Sequence, residues 1–276
     1  MILVELAGAS GVGKSTVAPL LAQALRRALG DHAVAAMPEK DQPRRRRRWT
    51  RMQRRFWLAS HPRSFLAAWR GSRTRPQIGS FAAWKHAFSS MGIGRRALAK
   101  GVKVALVDQG MLRLRMDAGH VPVLPRPLLP DLVLHLVAEP GVLELRRIYR
   151  GKPKFVLLEG TDRMARARDV RDRLTALPEA ELRAALTRFG TKFCSPALSE
   201  QDIEGLLGGP PDESAMTGAE GNARQRSRCA PEVCELFRQR GVVWRQVDNT
   251  EADALDRVVN ECMAAILALL SPSEAP

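Results

Sequence analysis

The stretch that decides the fold is "MILVELAGASGVGKST", residues 1–16. It joins the apolar run Ile2 to Leu6 directly to a glycine-rich segment with the spacing G-x-x-x-x-G-K-[ST], from Gly8 to Ser15. A short apolar run is typical of a buried parallel strand, and residues 14–29 have the apolar spacing of a helix. The stretch therefore predicts a strand, a tight glycine turn and a helix in direct succession.

The glycine-rich segment predicts a site for a nucleotide phosphate. Glycines let the backbone curl so that its N–H groups point at a phosphate, and the positive end of the following helix adds to the attraction. The Lys14 ammonium would bridge the terminal phosphates, and the Ser15 hydroxyl could ligate Mg²⁺. The alternative is a glycine turn that binds nothing. The predicted nucleotide-binding residues are Gly8, Ala9, Ser10, Gly11, Val12, Gly13, Lys14, Ser15 and Thr16.

Strand and helix patterns alternate along the rest of the chain. Further strands are predicted within residues 32–39, 102–110, 130–140 and 242–249. Helices are predicted within residues 141–151, 162–177, 230–241 and 251–270, and Pro178 should separate the second from a further segment that reaches Leu186. Two or three helices are expected within residues 40–100, and a flexible loop over residues 200–226. This alternation predicts an α/β domain with a parallel sheet.

Composition narrows the class of protein. The chain has 276 residues, of which 45% are hydrophobic, and this predicts a single domain over residues 1–276. No run approaches the roughly 20 apolar residues that span a bilayer. Four cysteines without paired or zinc spacing predict reduced thiols in a cytoplasmic protein. The net charge of +15 favours anionic partners, although arginine spread over solvated faces would give the same total. The oligomeric state is left open, with a homodimer among the alternatives.

Two carboxylates follow candidate strands. Asp108 ends "VALVD", and the carboxyl ends of parallel strands line the ligand crevice. There Asp108 could hold Mg²⁺ through water, accept a proton from an acceptor hydroxyl, or merely cap the next turn. Glu39 lies just past the second candidate strand. It could bind the acceptor, act as a base, or be a solvated loop carboxylate.

Basic residues form two candidate features. Arg146, Arg147 and Arg150 lie on one short helix, where Arg146 and Arg150 are a turn apart and could stabilise a transferring phosphoryl group. An exposed basic helix is the alternative. The run "RRRRRWTRMQRRFW", residues 44–57, has three interpretations: a solvated helix with inward aromatic residues, an acceptor-site helix, or a surface for nucleic acid or membrane.

The order of these motifs resembles the thymidylate kinase-like branch of the P-loop nucleoside and nucleotide kinases. "GASGVGKST" is similar to that family's phosphate loop, and "VALVDQG" to its strand that ends in Asp-Arg. "PDLVLHLVAEPGVLELRRIYRG" is similar to its Pro-Asp-Leu strand and the helix that leads to its lid arginines. The last strand and helix, "VVWRQVDNTEADALDRVVNECMAAI", complete the resemblance. It implies the sheet order 2-3-1-4-5 with helices on both faces, and it places Asn249 and Thr250 beside an adenine.

The sequence departs from this family on the acceptor side. Gln109 stands where the family has arginine, and only Glu39 remains of its Arg-Glu-Pro motif. These departures weaken thymidylate as the acceptor and leave Glu39 and Gln109 as candidate substrate-binding residues. Residues 40–100 are expected to form the acceptor side.

The resemblance implies an ATP- and Mg²⁺-dependent kinase that acts on a small acceptor, such as a nucleotide, a nucleoside or another hydroxyl-bearing metabolite. Lys14, Asp108, Arg146 and Arg150 are the predicted catalytic residues, and Ser15 and Asp108 the predicted metal ligands. The alternative is a nucleotide-binding regulator or a nucleic-acid-associated ATPase that uses the Arg/Trp-rich stretch. The absence of a strand that ends in paired carboxylates counts against a motor-like ATPase, and the absence of Asn-Lys-x-Asp argues against a GTPase.

Overall fold

The computed structural model of the chain describes residues 1–9, 11–37, 81–108, 110–114, 126–150, 158–209, 231–251 and 253–271. The chain groups into two compact units. The sheet unit lies within Met1–Gly8, Gly13–Val137 and Cys229–Pro276, and the helical unit lies within Ala9–Val12 and Ala138–Arg228. The prediction of a single domain over residues 1–276 stays a prediction.

A five-stranded parallel sheet forms the centre of the sheet unit. The strands of the described chain are β1 (Ile2–Gly8), β2 (Val34–Met37), β3 (Val104–Asp108), β4 (Leu132–Val137), β5 (Leu158–Glu159), β6 (Cys194–Ser195) and β7 (Val243–Asp248). The sheet order is β2-β3-β1-β4-β7, with all four pairings parallel. Because β7 is the fifth strand of this sheet, the predicted α/β class and the order 2-3-1-4-5 are confirmed.

Helices follow most of these strands. They are α1 (Lys14–Leu29), α2 (Phe81–Leu98), α3 (Pro140–Arg150), α4 (Gly160–Arg173), α5 (Glu179–Phe193), α6 (Glu200–Gly208), α7 (Pro231–Gln239) and α8 (Leu255–Leu270). Among the described residues, none of the helices combines the length and the apolar character that a membrane span requires.

One face of the sheet packs against α2 and α7. Leu3 of β1 and Val107 of β3 share a buried apolar cluster with Phe88 of α2 and Phe237 of α7. Gly94 brings α2 close to the sheet, since a Cβ atom at position 94 would lie 2.5 Å from Leu3 Cδ1. This face of the sheet is therefore a tightly packed core.

The other face is covered by α1 and α8. Val4 and Leu6 alternate with Leu3 along β1, and their side chains are also fully buried. Helices α1 and α8 contact each other and the strands of the sheet. Burial on both faces explains why β1 reads as a continuous apolar run rather than an alternating one.

Helix α1 has its predicted bounds, Lys14–Leu29, and a glycine flanks each end. Gly13 precedes it with φ 96° and Gly30 follows it with φ 96°, in the left-handed region that glycine adopts readily. Pro19 lies inside the helix without ending it. The apolar spacing therefore determines the length of α1, because Val17, Leu21 and Leu25 are all buried on one face.

The helical unit has its own apolar core. Ile148 of α3, Val170 of α4, Leu186 of α5 and Ile203 of α6 are buried in one cluster. The two short strands β5 and β6 pair in parallel beside this core. Neither strand was predicted from the sequence, because runs of two residues have no detectable period.

The helical unit corrects three sequence predictions. The helix expected over 162–177 is α4, which ends at Arg173, where Leu174 N–H bonds to the Arg171 carbonyl at 2.9 Å. The next helix continues past Leu186 to Phe193, because Phe189 and Phe193 extend its buried face. The flexible loop expected over 200–226 begins with α6 instead.

A capping box explains why α6 forms in a segment rich in loop residues. The Ser199 side chain accepts the Asp202 N–H at 3.1 Å, and the Asp202 carboxylate accepts the Ser199 N–H at 2.9 Å. These two bonds satisfy orphan donors at the helix start. Ile203 and Leu206 then bury one face of the helix in the unit's core. The rest of the predicted loop, from residue 210 onward, lies outside the described residues.

Of the two or three helices predicted within residues 40–100, α2 confirms one. Residues 40–80, which include the Arg-rich run 44–57, lie outside the described residues.

Candidate functional site

The carboxyl ends of the parallel strands define one edge of the sheet unit. Gly8 ends β1, Asp108 ends β3, and Asn249 directly follows β7. Helix α1 begins at Lys14, a few residues past the end of β1. Because parallel strands place all their carboxyl ends on one edge, the fold brings these predicted site residues to the same side of the sheet.

The glycine loop, residues 8–16, passes through both units. Gly8 and residues 13–16 belong to the sheet unit, and residues 9–12 belong to the helical unit. Ser10 lies outside the described residues.

Gly13 occupies a position that no other residue fits without a shift. Its φ of 96° is rare for residues with a side chain, and a Cβ atom there would lie 2.6 Å from Asn249 Nδ2. The Gly13 carbonyl accepts the N–H groups of Thr16 and Val17, at 2.8 and 2.9 Å. The glycine therefore allows the chain to turn directly from the loop into α1.

Lys14 folds back over the loop. Its Nζ donates to the Gly8 carbonyl at 2.6 Å, so the ammonium lies beside the end of β1. Helix α1 has no acidic residue in its first turn and no side-chain cap. The positive end of the helix is therefore not neutralised by its own first turn, and the Lys14 charge adds to it. Ser15 is half-buried and Thr16 is exposed in the same turn.

Asp108 is a largely buried carboxylate, with 8% of its surface exposed. In the register of the sheet it lies opposite Leu6 of β1. The strand end therefore holds it in place while leaving a small part of it accessible.

Glu5 is a buried acid that sequence reasoning missed. It lies in the middle of β1 and is completely buried. Leu112 N–H donates to Glu5 Oε1 at 2.8 Å, and backbone N–H groups of Met111 and Gly110 also stabilise the carboxylate. Desolvation nevertheless outweighs these donors, and with the negative charge of Asp108 it raises the pKa of Glu5 to about 8.

The segment after β3 is shaped around Glu5. A Cβ atom at Gly110 would lie 2.6 Å from Glu5 Cδ and 2.8 Å from Met91 Sδ. Only glycine lets the backbone approach the buried carboxyl this closely. The signal in the sequence was a single charged residue inside the apolar run "ILVEL", since a charge in a buried strand needs hydrogen-bond partners.

Asn249 is held against the loop in the sheet unit. It is 6% exposed, and its N–H donates to the Val137 carbonyl at 2.8 Å. Its amide nitrogen lies beside Gly13, as described above. The preceding Asp248 accepts bonds from the N–H and Oγ1 of Thr250, at 2.9 and 2.6 Å. These bonds fix the turn after β7 that presents Asn249.

In the helical unit, the glycine loop lies against α3. Gly11 has φ +95°, and a Cβ atom there would lie 3.2 Å from the Leu143 carbonyl oxygen and 3.3 Å from Arg147 Cγ. Ala9 and Val12 are buried, and Val12 N–H donates to the Ala9 carbonyl at 3.4 Å. The loop thus passes close to the side chain of Arg147.

The three predicted arginines of α3 have different surroundings. Arg150 is exposed, whereas Arg146 and Arg147 are half-buried. Desolvation lowers the pKa of Arg146. Of the three, Arg147 is the one whose side chain approaches Gly11. Sequence spacing singled out Arg146 and Arg150, because it placed those two on one face without showing which face meets the loop.

Arg147 belongs to an ion-pair network around a buried glutamate that the sequence did not reveal. Glu144 is 4% exposed and contacts the guanidinium groups of Arg147, Arg166 and Arg173 at 3.3, 3.0 and 3.4 Å. Asp169 pairs with Arg166 and, at 2.8 Å, with Arg173. The partners come from different helices, so spacing along one helix could not indicate the network.

Two predicted substrate residues, Glu39 and Gln109, lie outside the described residues.

No protein-family model matches the chain, and no curated protein matches it either.

Proposed function

We propose that the protein is an ATP- and Mg²⁺-dependent phosphotransferase that acts on a small acceptor such as a nucleotide, a nucleoside or another hydroxyl-bearing metabolite. The observation that carries the proposal is the position of Lys14. Its ammonium group lies 2.6 Å from the Gly8 carbonyl, at the start of a helix whose first turn holds no acid. Positive charge at the start of a helix that follows a glycine turn favours the binding of phosphate groups.

The conformation of the glycine loop supports a phosphate ligand. Gly11 and Gly13 both have positive φ, and a Cβ atom at either would crowd neighbouring atoms. A loop without these side chains lets a phosphate reach the backbone N–H groups. The sequence spacing and the shape of the loop therefore support the same ligand.

Ser15 and Asp108 are the residues that would hold Mg²⁺. A hydroxyl and a carboxylate are the hard oxygen ligands that this ion prefers. Among the described residues, no group of three His, Cys, Asp or Glu side chains could hold a metal ion by itself. The proposed ion would therefore take further ligands from phosphate oxygens and water, as Mg²⁺ does in many phosphotransferases. When bound, it would neutralise phosphate charge.

The protein would contribute to phosphoryl transfer by positioning the reacting groups and by supplying positive charge. Lys14 would balance the negative charge of the terminal phosphates, and the guanidinium groups of α3 would stabilise the charge that spreads over the transferring group. Asp108 has two alternative roles: it would hold the metal ion through water, or it would accept the proton of the acceptor hydroxyl.

The test is Lys14→Ala, with Lys100→Ala as the control, since Lys100 is an exposed lysine of the sheet unit. Each protein is incubated with ATP and pools of nucleosides, nucleotides and sugars, and ADP release above the blank is measured. Lys14→Ala should lower turnover by roughly a thousandfold, or about 4 kcal/mol of transition-state stabilisation. Lys100→Ala should match the wild type.

Two results would overturn the proposal. One is near wild-type turnover in Lys14→Ala. The other is ADP release that needs DNA or RNA instead of a small acceptor and that weakens steeply with salt, because that behaviour defines a nucleic-acid-associated ATPase.

A further inference from the structure

Glu5 is an acid enclosed in the core of the sheet unit. It lies between Val4 and Leu6 on the central strand β1, and its side chain is fully buried. A buried carboxyl group costs free energy unless hydrogen bonds compensate it, whereas an apolar side chain there would carry no such cost. The reason for an acid at position 5 therefore lies in what its carboxyl group contacts.

The carboxyl group of Glu5 binds the backbone that follows β3. Leu112 N–H donates to Glu5 Oε1 at 2.8 Å, across 107 positions of the sequence, and the N–H groups of Gly110 and Met111 also bond to the carboxyl group. These donors lie at the start of a short 3₁₀ helix, Met111–Leu114. Because the first N–H groups of a helix have no partner inside it, Glu5 caps this helix from a neighbouring strand.

The contact between this backbone and Glu5 leaves no space for a side chain at position 110. A Cβ atom at Gly110 would lie 2.6 Å from Glu5 Cδ and 2.7 Å from Glu5 Oε2. The path of the chain after β3 therefore depends on the place of the Glu5 carboxyl group.

Asp108 lies two residues before Gly110, where this path begins. On one side of Asp108, the ladder between β1 and β3 sets its position opposite Leu6, the neighbour of Glu5. On the other side, the chain is held by the hydrogen bonds of residues 110–112 to Glu5. All of these residues belong to the sheet unit. Backbone that is held on both sides gives a carboxylate a defined direction, which a metal ligand requires.

We infer that Glu5 is a positioning residue, which holds the backbone of residues 110–112 and thereby keeps Asp108 in place to bind, through water, the Mg²⁺ that accompanies the nucleotide. The inference rests on the proposed function. It selects the metal role of Asp108 over the role of proton acceptor. Residues that orient a metal ligand contribute about tenfold or more to metal affinity, although they do not touch the ion.

The experiment measures ATP affinity by calorimetry without an acceptor, once with Mg²⁺ and once with EDTA in its place. The readout is the ratio of the first affinity to the second. Glu5→Met keeps the length of the side chain but removes its oxygen atoms, and it should lower this ratio about tenfold. Glu5→Gln keeps a carbonyl oxygen for the Leu112 N–H group, and its ratio should stay within about twofold of the wild type.

Asp131→Leu is the matched control for lost stability. The Asp131 carboxylate also accepts a backbone N–H group, from Leu3 at 2.7 Å, but Asp131 directly precedes β4 and so lies at the opposite edge of the sheet from Asp108. Asp131→Leu should lower the free energy of unfolding, measured with urea, and leave the ratio within about twofold of the wild type.

A double variant connects the effect of Glu5 to Asp108. Asp108→Asn should lower the ratio, and adding Glu5→Met should lower it less than about twofold further, because both substitutions act on one ligand. If Glu5→Met does not fold, Gly110→Ala takes its place. Its Cβ atom would displace the Glu5 carboxyl group while residues 5 and 108 keep their identity.

Three results would overturn the inference and leave the proposed function intact. They are an unchanged ratio in Asp108→Asn or in Glu5→Met, an equal fall in Asp131→Leu and Glu5→Met, and independent losses that multiply in the double variant. Failure of the wild-type protein to bind ATP at all would overturn both.

Discussion

Each unit buries a glutamate, and the two carboxyl groups meet different partners. In the sheet unit, Glu5 receives backbone N–H groups from the segment after β3. In the helical unit, Glu144 receives three guanidinium groups. Backbone dipoles compensate only part of the lost hydration, and the pKa of Glu5 therefore rises to about 8. Arginines supply a full opposite charge but depend on the carboxylate to stay in place.

The largest expected effect on stability follows from the removal of the Glu144 carboxylate. Glu144→Ala should lower the free energy of unfolding by about 3 kcal/mol, because it leaves three half-buried cations without their shared partner. The measurement is urea unfolding at neutral pH. Glu204→Ala is the matched control, since Glu204 pairs with Arg183 at an exposed position, with 57% of its side chain accessible. An equal loss in both variants would mean that the buried network contributes no more than a surface pair.

The next effect concerns Glu5 and pH. A raised pKa means that the folded state holds a proton that the unfolded state has released, between about pH 4.5 and about pH 8. This group should therefore lower stability as the pH rises through that window. The difference between the wild type and Glu5→Gln should change by about 2 kcal/mol between pH 6 and pH 8.

Urea midpoints of both proteins at half-unit pH steps measure this change. Groups that do not interact with Glu5 affect both proteins alike and cancel in the difference. Parallel pH profiles for the wild type and Glu5→Gln would show that burial does not dominate the environment of Glu5.

The smallest expected effect concerns Gly13 of the sheet unit, which precedes α1. In free energy of unfolding, Gly13→Ala should cost about 1–2 kcal/mol more in the wild type than in the Asn249→Ala protein. A Cβ atom at Gly13 would meet Asn249 Nδ2 at 2.6 Å. The backbone strain at φ 96° is the same in both backgrounds, so the difference isolates the contact. Equal losses in thermal unfolding would refute a steric role for Asn249.

Local sequence patterns predicted an element correctly where its apolar residues repeat over several turns or where glycines mark its ends. Helix α1 has its predicted bounds, because Gly13 and Gly30 mark its ends and Val17, Leu21 and Leu25 repeat along one buried face. Helix α6 was missed, because its loop-rich composition hid a capping box that acts within only four residues. The difference lies in how many residues carry the signal.

The residues of the candidate site show the same difference between local signals and signals that depend on packing. The spacing of Gly8, Gly13, Lys14 and Ser15 was readable, since those residues act within one continuous loop. The proximity of Arg147 to Gly11 was not readable, because it depends on how α3 packs. Position along a helix determines which arginines share a face, and only packing determines what that face meets.

The sequence by itself indicated the parallel α/β sheet and the glycine loop that precedes α1, since both depend on interactions between residues close in the chain or on apolar periodicity. The strand order was implied only by the family resemblance. Only the tertiary structure decided that Glu5 is enclosed by the backbone of residues 110–112 and that Glu144 joins arginines of α3 and α4. The physical reason is that burial and ion pairing depend on distances between segments far apart in the chain, which no local pattern encodes.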